Sequence, residues 1–308
     1  MGIRCGYWNL NASLANTCIN EHGKGFPNLN YRDNPSLGAR IKAALNLAAF
    51  RARGSIPWSR GYSEYKRRTI EAVIAQPGFD PYRLPSNHGW RLDERVVEYP
   101  WAMARLAACP GARLWDAGSA LNYDYLLRHR ALQGRKVFVS TFAPEPLCFW
   151  QNAVSYLFED LRCASFRDAF FDDVVCLSTL EHIGLDNTAY APGEPGDRAE
   201  RDTHLQAVKE FHRTLKNRGR LLLSFPFGIR RNLGWCQVFD GAMVDQVIET
   251  FLPKSITQHY FHYTEKGWAN SNREQASQAV YYDVHSEPEP APDFAAASRA
   301  VVCLELIK

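Results

Sequence analysis

The sequence predicts an α/β fold: a seven-stranded, mostly parallel sheet with helices on both faces, its last strand antiparallel, preceded by an irregular helical arm. Three observations predict it. From residue 91 onward, short apolar runs alternate with amphipathic segments of helical period, the order of successive βα units. The strongest run, DVVCLS at 173–178, shows no polar alternation, as expected of a strand buried on both faces. The last two runs, 255–261 and 300–307, follow each other with no obvious helix between them. A final antiparallel strand at the sheet edge would explain that.

Residues 1–88 differ in texture from the rest. They are rich in Asn, Gly and Arg and are broken by Pro27, Pro35, Pro57, Pro77, Pro81 and Pro85. Two segments have helical character, 36–53 and 64–75. In the first, Leu37, Ile41, Leu45 and Ala48 recur at steps of three to four and share one helix face. This arm is expected to pack on the main domain, 89–308, or to cover its site. Whether it serves as lid, dimer contact or docking surface stays open, and a homodimer is one expectation.

The main domain opens with a helix over 91–108, with Val97, Ala102 and Leu106 on its inner side. A short strand at 112–115 ends at Asp116, and 123–130 is helical. A strand at 136–140 follows, then a helix beginning within 146–153, a weak strand at 155–158 and the buried strand at 173–178. Residues 203–215 form an amphipathic helix with Leu205, Val208, Phe211, His212 and Leu215 on one side. A strand at 220–225, a helix at 241–251 and the two closing strands complete the set. The connection 263–292 is polar and proline-rich and reads as loop. Such a sheet is Rossmann-like, and its ligands bind beyond the C-terminal strand ends at the switch point.

Composition narrows the function. A chain of 308 residues, 46% hydrophobic and 22% charged, buries a core without a disulfide or metal staple. The net charge of +3 is too small to imply nucleic acid, and no concentrated basic stripe supplies the usual electrostatic footprint. No nucleic-acid partner is expected. Basic residues do gather at 40–68: Arg40, Lys42, Arg51, Arg53, Arg60, Lys66, Arg67 and Arg68. They read either as a solvated helical face or as a surface for an anionic partner or membrane. The eight cysteines, Cys5 and Cys18 among them, form no C-x-x-C pair and no zinc-ligand spacing. Cys176 and Cys303 lie in apolar runs, where a thiol acts as a small hydrophobe. This usage suits a reducing compartment. The first residues contain no apolar run like that of a signal peptide, and no stretch is long enough for a transmembrane helix. The chain is therefore read as cytoplasmic.

Three segments carry chemistry. The first, RLWDAGSALN at 113–122, is a strand ending in Asp116, then Gly118 and Ser119, then a helix. A tight turn there lets backbone approach a ligand near helix amides; a plain strand-turn-helix would look the same. The second, FDDVVCLSTLEHIG at 171–184, runs a buried strand straight into Ser178, Thr179, Glu181 and His182. Unpaired polar groups in such a place are costly, although a helix cap by Ser178 or Thr179 with Glu181 in the first turn would account for them. The third, LKNRGRLLLSFPFG at 215–228, is a helix end, a turn, a strand and a loop.

In this order the three segments resemble the class I S-adenosylmethionine (SAM)-dependent methyltransferases over residues 91–308. WDAGS is similar to that family's first motif, an acid followed by Gly-x-Gly. FDDVVCLSTLEHIG is similar to its fourth-strand motif, and LKNRGRLLLSFPFG to its L-K-P-G-G-x-L-x-x-S-x-P segment. The resemblance implies SAM as cofactor and S-adenosylhomocysteine as product. It implies that Asp116, Gly118 and Ser119 flank the methionine part, with Asn122 in place of a usual small residue. It implies that Asp160, in FEDLR, contacts adenine with Leu161 beside it. Ser178 and Thr179 would lie near the methyl donor, and Glu181 and His182 would open the helix that faces the acceptor. One departure stands out. The family ends its second strand with an acid that holds the ribose, whereas this chain reads VFVST. Thr141 or Ser140 stands at that point, and Glu145 lies four residues beyond. A finer resemblance joins Glu98 to Trp101 (EYPW), Asp116 to Asn122 and Ser178 to Gly184. It is similar to methyltransferases associated with bacterial surface-polysaccharide and sugar modification.

Three functions follow from this reading: O-methylation of a sugar or saccharide hydroxyl, O- or N-methylation of a small natural product, and a binding module on a degenerate methyltransferase fold. An alkyl hydroxyl has a high pKa, so a general base helps; His182 is the candidate because imidazole titrates near neutral pH. It could equally bond only within its own turn. His204, His262 and His285 are further histidines near loops, each more readily structural. Trp235, Phe239, Tyr260 and Trp268 could form an aromatic acceptor pocket or a sugar-stacking platform. In the loop 186–204, Asp186, Glu194, Asp197, Glu200, Asp202 and His204 could hold Mg²⁺. Any solvated loop contains such residues, so no metal site is assigned. Gly193 and Gly196 around Pro195 could make this loop a lid.

Overall fold

The computed structural model describes residues 37–76, 80–145, 147–188, 202–287 and 289–308. Contacts divide the chain at Ile41/Lys42; before that point only residues 37–41, the first turn of helix α1, are described. The helices are α1 (Leu37–Ala52), α2 (Tyr62–Ile74), α3 (Arg95–Ala108), α4 (Asp124–Leu127), α5 (His204–Thr214), α6 (Gly241–Phe251) and α7 (Arg273–Ala276). The strands are β1 (Arg113–Ala117), β2 (Lys136–Thr141), β3 (Val154–Phe158), β4 (Phe171–Leu177), β5 (Leu215–Pro226), β6 (Arg231–Asn232), β7 (Gln237–Val238), β8 (Ser255–Thr264), β9 (Gly267–Ser271) and β10 (Ala300–Ile307). Eight strands form one sheet in the order β3-β2-β1-β4-β5-β10-β8-β9, and β6 pairs with β7 alone. Strands β1 to β5 are mutually parallel, while β10 runs antiparallel to both its neighbours.

The sheet is Rossmann-like, mostly parallel, and covered on both faces. Alternate side chains of each strand divide between two cores, as the period of two requires. Val175, Leu177, Leu222, Phe261 and Cys303 pack with α2 and α3 on one side. Val174, Cys176, Leu221, Leu223 and Leu304 pack with α5 and α6 on the other. This double burial is why these strands read as unbroken apolar runs. Cys176 and Cys303 are fully buried within them; Cys5 and Cys18 lie outside the described residues.

Several expectations are corrected. The last strand is antiparallel, but it is inserted between β5 and β8 rather than standing at the edge. The edge is β9, antiparallel to β8, drawn from the connection that read as loop. The helix expected to begin within 146–153 is a single 3-10 turn, Trp150–Asn152, and Pro146 lies outside the described residues. The face of α1 formed by Leu37, Ile41, Leu45 and Ala48 is exposed; Leu47 and Phe50 are the buried side chains. Periodicity identifies two faces of a helix without saying which one the core takes. In the basic stretch, Arg67 is paired with Glu64 and Glu71, Arg68 with Glu64, and Lys66 with Asp93. Those cations serve internal pairs, which suits the solvated-face reading. No described helix is long and apolar enough to cross a membrane.

Candidate functional site

The C-terminal ends of β1, β2, β4 and β5 bring most of the expected residues together. β1 delivers Asp116, fully buried, to the switch point beside β4. Its carboxylate accepts the backbone N–H of Ala120 at 3.0 Å and of Leu121 at 2.9 Å, so it holds the turn that follows. Burial pushes its pKa up to about 7, against the lowering effect of those two bonds, and nearby Glu145 adds to the rise. Gly118 at φ 111° and Ser119 at φ 61° turn the chain left-handed. A Cβ at residue 118 would strike the Thr179 side chain. The turn after β1 and the turn after β4 therefore meet face to face, and glycine is what lets them.

The loop after β2 closes over the same turn. Asn122, 6% exposed, donates to the Leu147 carbonyl at 3.0 Å and accepts the Tyr156 hydroxyl at 2.8 Å. That hydroxyl in turn accepts the N–H of Phe149 at 2.7 Å. Glu145 is half-buried with Ser119 and Asn122 as neighbours; burial raises its pKa, and the nearby Ser119 and Asn122 side chains offset part of the rise. Of the two residues at the place of the missing acid, Ser140 is fully buried. It accepts the indole N–H of Trp115 at 2.9 Å and donates to Glu159 at 2.8 Å. It is a structural link. Thr141 remains half-buried at the strand end, opposite Phe158. Two carboxylates therefore lie near this end of the site, Glu159 on Ser140 and Glu145 in the loop beside Ser119 and Asn122. Asp160 is held by Arg162, which donates its backbone N–H at 2.8 Å and its guanidinium at 2.6 Å. Leu161 is 7% exposed and packs with Trp115 and Ala117. Phe142 and Phe158, not singled out in the sequence, expose apolar surface at the adjoining ends of β2 and β3.

On the far side of Gly118 the polar cluster after β4 is fixed by helix α3. Ser178, at φ 38°, donates to Glu98 at 2.6 Å, and Ser224 donates to the same oxygen at 2.7 Å. Arg95 donates to the Leu177 carbonyl at 2.9 Å and to Glu98 at 3.1 Å. Thr179 donates to the Leu177 carbonyl at 3.1 Å. The side chains of Ser178 and Thr179 are therefore not helix caps, and no helix follows: Leu180–His182 is one 3-10 turn. Glu181 is 2% exposed, and burial, with Glu98 and Glu94 nearby, holds its carboxyl well above the usual carboxylate range.

His182 stacks on Trp235, with ring centroids 5.4 Å apart and planes 24° from parallel. Its Nδ1 lies 2.9 Å from the Trp235 carbonyl. A carbonyl only accepts, so Nδ1 carries the proton and the lone pair is on Nε2. Burial lowers the pKa of the ring to about 4. The imidazole is neutral near pH 7, with Nε2 3.9 Å from Glu181 Oε1. Of the four expected aromatic residues, Phe239, Tyr260 and Trp268 are buried in the cores; Trp235 alone is half-buried, between His182 and His285. His204 is 2% exposed, and its ring meets Phe239 edge-on. Gly193, Glu194, Pro195, Gly196, Asp197 and Glu200 lie outside the described residues. Among the described residues no three His, Cys, Asp or Glu side chains are placed to hold a metal ion.

The residues fit SAM at the level of donor chemistry. A left-handed turn with buried Asp116 behind it and the Glu145 carboxyl beside it offers backbone and acid to an amino acid and a ribose. No family model matches the chain, and no curated protein matches it. Solved structures similar to it include the 1,6-didemethyltoxoflavin-N1-methyltransferase of Burkholderia thailandensis with 1,6-didemethyltoxoflavin and S-adenosylhomocysteine bound. It is 15% identical over 90% of this chain and 93% of that one, with a TM-score of 0.42. The N-methyltransferase NodS of Bradyrhizobium japonicum WM9, in complex with S-adenosylhomocysteine, is 12% identical over 79% of this chain and 98% of that one, with a TM-score of 0.38. A SAM-dependent methyltransferase of Archaeoglobus fulgidus is 10% identical over 71% and 96%, with a TM-score of 0.45. Likenesses of this size carry no functional weight; the strand order and side chains of this chain have to.

Proposed function

We propose that the protein is a SAM-dependent methyltransferase whose acceptor is a hydroxyl of a sugar or saccharide. The observation that carries the reading is the contact of Gly118 with Thr179. It joins a turn suited to the cofactor, held by Asp116, to a turn that ends in a neutral histidine. Bound SAM supplies a methyl group on a sulfonium, already activated, which the acceptor oxygen takes as the carbon–sulfur bond breaks. The protein's part is to align the partners, exclude water and receive one proton. Asp116, Gly118, Ser119 and Asn122 hold the methionine part. Glu145, with Thr141 at the strand end, takes the ribose in place of the missing acid. Asp160 and Leu161 border the adenine, and Ser178 and Thr179 border the methyl. Nε2 of His182 accepts the proton of the acceptor hydroxyl, with Glu181, whose carboxyl burial holds above the usual carboxylate range, beside it.

Calorimetric titration with SAM and S-adenosylhomocysteine tests the cofactor half. The wild type is expected to bind both, and Asp116→Ala to bind at least about tenfold more weakly, which is about 1.4 kcal/mol. Well-folded wild type that binds neither would leave a fold that serves as a binding module. Mass analysis of a panel of hexoses and phenols incubated with SAM tests the acceptor half. Transfer to phenols and to no saccharide would overturn it.

A further inference from the structure

Helix α1 carries two apolar faces. At about 3.6 residues per turn, Leu47 and Phe50 fall on one side, and both are buried. Leu37, Ile41, Ala44, Leu45, Ala48 and Ala52 fall on the opposite side, and all are exposed. The three large ones leave much of their surface in solvent: Leu37 is 73%, Ile41 51% and Leu45 65% exposed. Two rows of exposed cations border this outer stripe. Arg40 and Arg51 run along one edge; Lys42 and, just past the helix end, Arg53 run along the other. The cations of α2 are taken by Glu64, Glu71 and Asp93, but these four enter no ion pair among the described residues. No acid stands between Asp33 and Glu64, whereas Arg40, Lys42, Arg51, Arg53 and Arg60 all do.

A contiguous exposed apolar stripe with a polar border marks an interaction surface. Its occupant must be apolar against the stripe and anionic against the borders. A second copy of the chain fails the second requirement, because it would set the same cations against these. Residues 1–36 fail it too, with Arg4, Lys24 and Arg32 against only Glu21 and Asp33. An anionic bilayer meets both. Its acyl boundary takes the Leu and Ile side chains, while the long stems of Arg and Lys reach back to the phosphates. We propose that α1 is a membrane-surface helix, which lies in the plane of an anionic lipid bilayer by its outer face while Leu47 and Phe50 keep its inner face on the core. The helix rests on the bilayer and does not span it. This role is independent of what the site at the strand ends binds.

The test mixes the whole chain with two kinds of vesicle, one of phosphatidylcholine alone and one of phosphatidylcholine with an equal part of phosphatidylglycerol, and reads the bound fraction by sedimentation. Partition into the anionic vesicles is expected to be at least about tenfold stronger. It is expected to fall at least about tenfold in Leu45→Glu, and likewise in Lys42→Glu/Arg51→Glu. All three positions are exposed, and an unchanged urea midpoint reports that each variant is folded; the wild-type comparison decides even where a variant is not. No binding to the anionic vesicles, equal binding to both kinds, or a preference that both variants keep overturns the proposal. A chain that ignores both vesicles but dimerises in sedimentation equilibrium, and loses the dimer in Leu45→Glu, overturns it in favour of a second copy on this face.

Discussion

At Gly118 the backbone stands at φ 111°, and the space a Cβ would take is filled by Thr179. Gly118→Ala therefore meets two costs, left-handed strain and a clash between two turns. The expected loss is about 2–4 kcal/mol of stability, together with loss of S-adenosylhomocysteine binding. Urea denaturation measures the first; a variant as stable as wild type would show that the contact is not tight. Thr179→Ala in the same chain removes Oγ1 and Cγ2 but leaves a Cβ 2.7 Å from the added methyl, so it is expected to recover only part of the loss. Much of this site was legible in the sequence. Asp116, Gly118, Ser119, Asn122, Ser178, Thr179, Glu181 and His182 follow the ends of β1 and β4, and apolar runs mark strand ends well. What was not legible comes from distance along the chain. Glu98 meets Ser178 across 80 residues and Ser224 across 126, and no local pattern announces such a bond. The proton on His182 Nδ1 depends on a carbonyl 53 residues away. The engagement of Asp160 by Arg162, two residues on, was within reach of local reading.

Among the elements, β4 is tied to its surroundings by Asp173. This carboxylate, 3% exposed, bridges Arg135 at the start of β2 and Arg220 in β5. The two guanidiniums also cap the end of α3, Arg135 donating to the carbonyls of Leu106 and Cys109, and Arg220 to those of Arg105 and Cys109. One carboxylate thus sets the register of three strands against a helix. Asp173→Ala leaves two buried cations short of a partner, and breaking a buried pair in this way costs about 3–5 kcal/mol. The melting temperature is expected to fall by about 5–10 °C, while a fall of a degree or less in a thermal scan would show the network to be dispensable. At this scale the alternation of strands and helices was readable because double burial writes itself as apolar runs. β9 was not, because GWANS has no apolar alternation and earns its place through Trp268, whose indole donates to the Leu92 carbonyl at 2.8 Å. Gly267 gives that strand its start, since a side chain there would meet the backbone of His88. The order of β10 and β8 was likewise unreadable. Two apolar runs without a helix between them pair antiparallel, but nothing in either fixes which one lies inside.

Across the whole molecule, burial of titratable groups links the site to the stability of the fold. His182 and His204 are both lowered by burial to about 4, whereas in the unfolded chain imidazole titrates near 6.5. Between those values the unfolded state binds protons that the folded state refuses, so stability falls as pH falls from about 6.5 to about 4. Asp116 works in the opposite direction. Its pKa is raised to about 7, so its contribution is fully present below the unfolded carboxylate pKa and is lost as pH rises towards about 7. Glu94 and Glu181 are also raised, chiefly by burial, and act in the same sense as Asp116. The total curve therefore mixes opposing slopes, but a comparison of chains separates them. In His182→Gln/His204→Gln the carboxylates remain, and only the histidine contribution is removed. The stability of wild type relative to this variant is expected to fall by about 3–6 kcal/mol between pH 7 and pH 4, measured by urea denaturation at a series of pH values. Parallel curves for the two chains would mean that neither ring is desolvated as its surroundings imply. Protonation of the unfolded chain weakens the fold from about pH 6.5 downward, whereas the lone pair on Nε2 of folded His182 is lost only as the pH nears about 4. Loss of stability should therefore set in at a higher pH than loss of the proposed base.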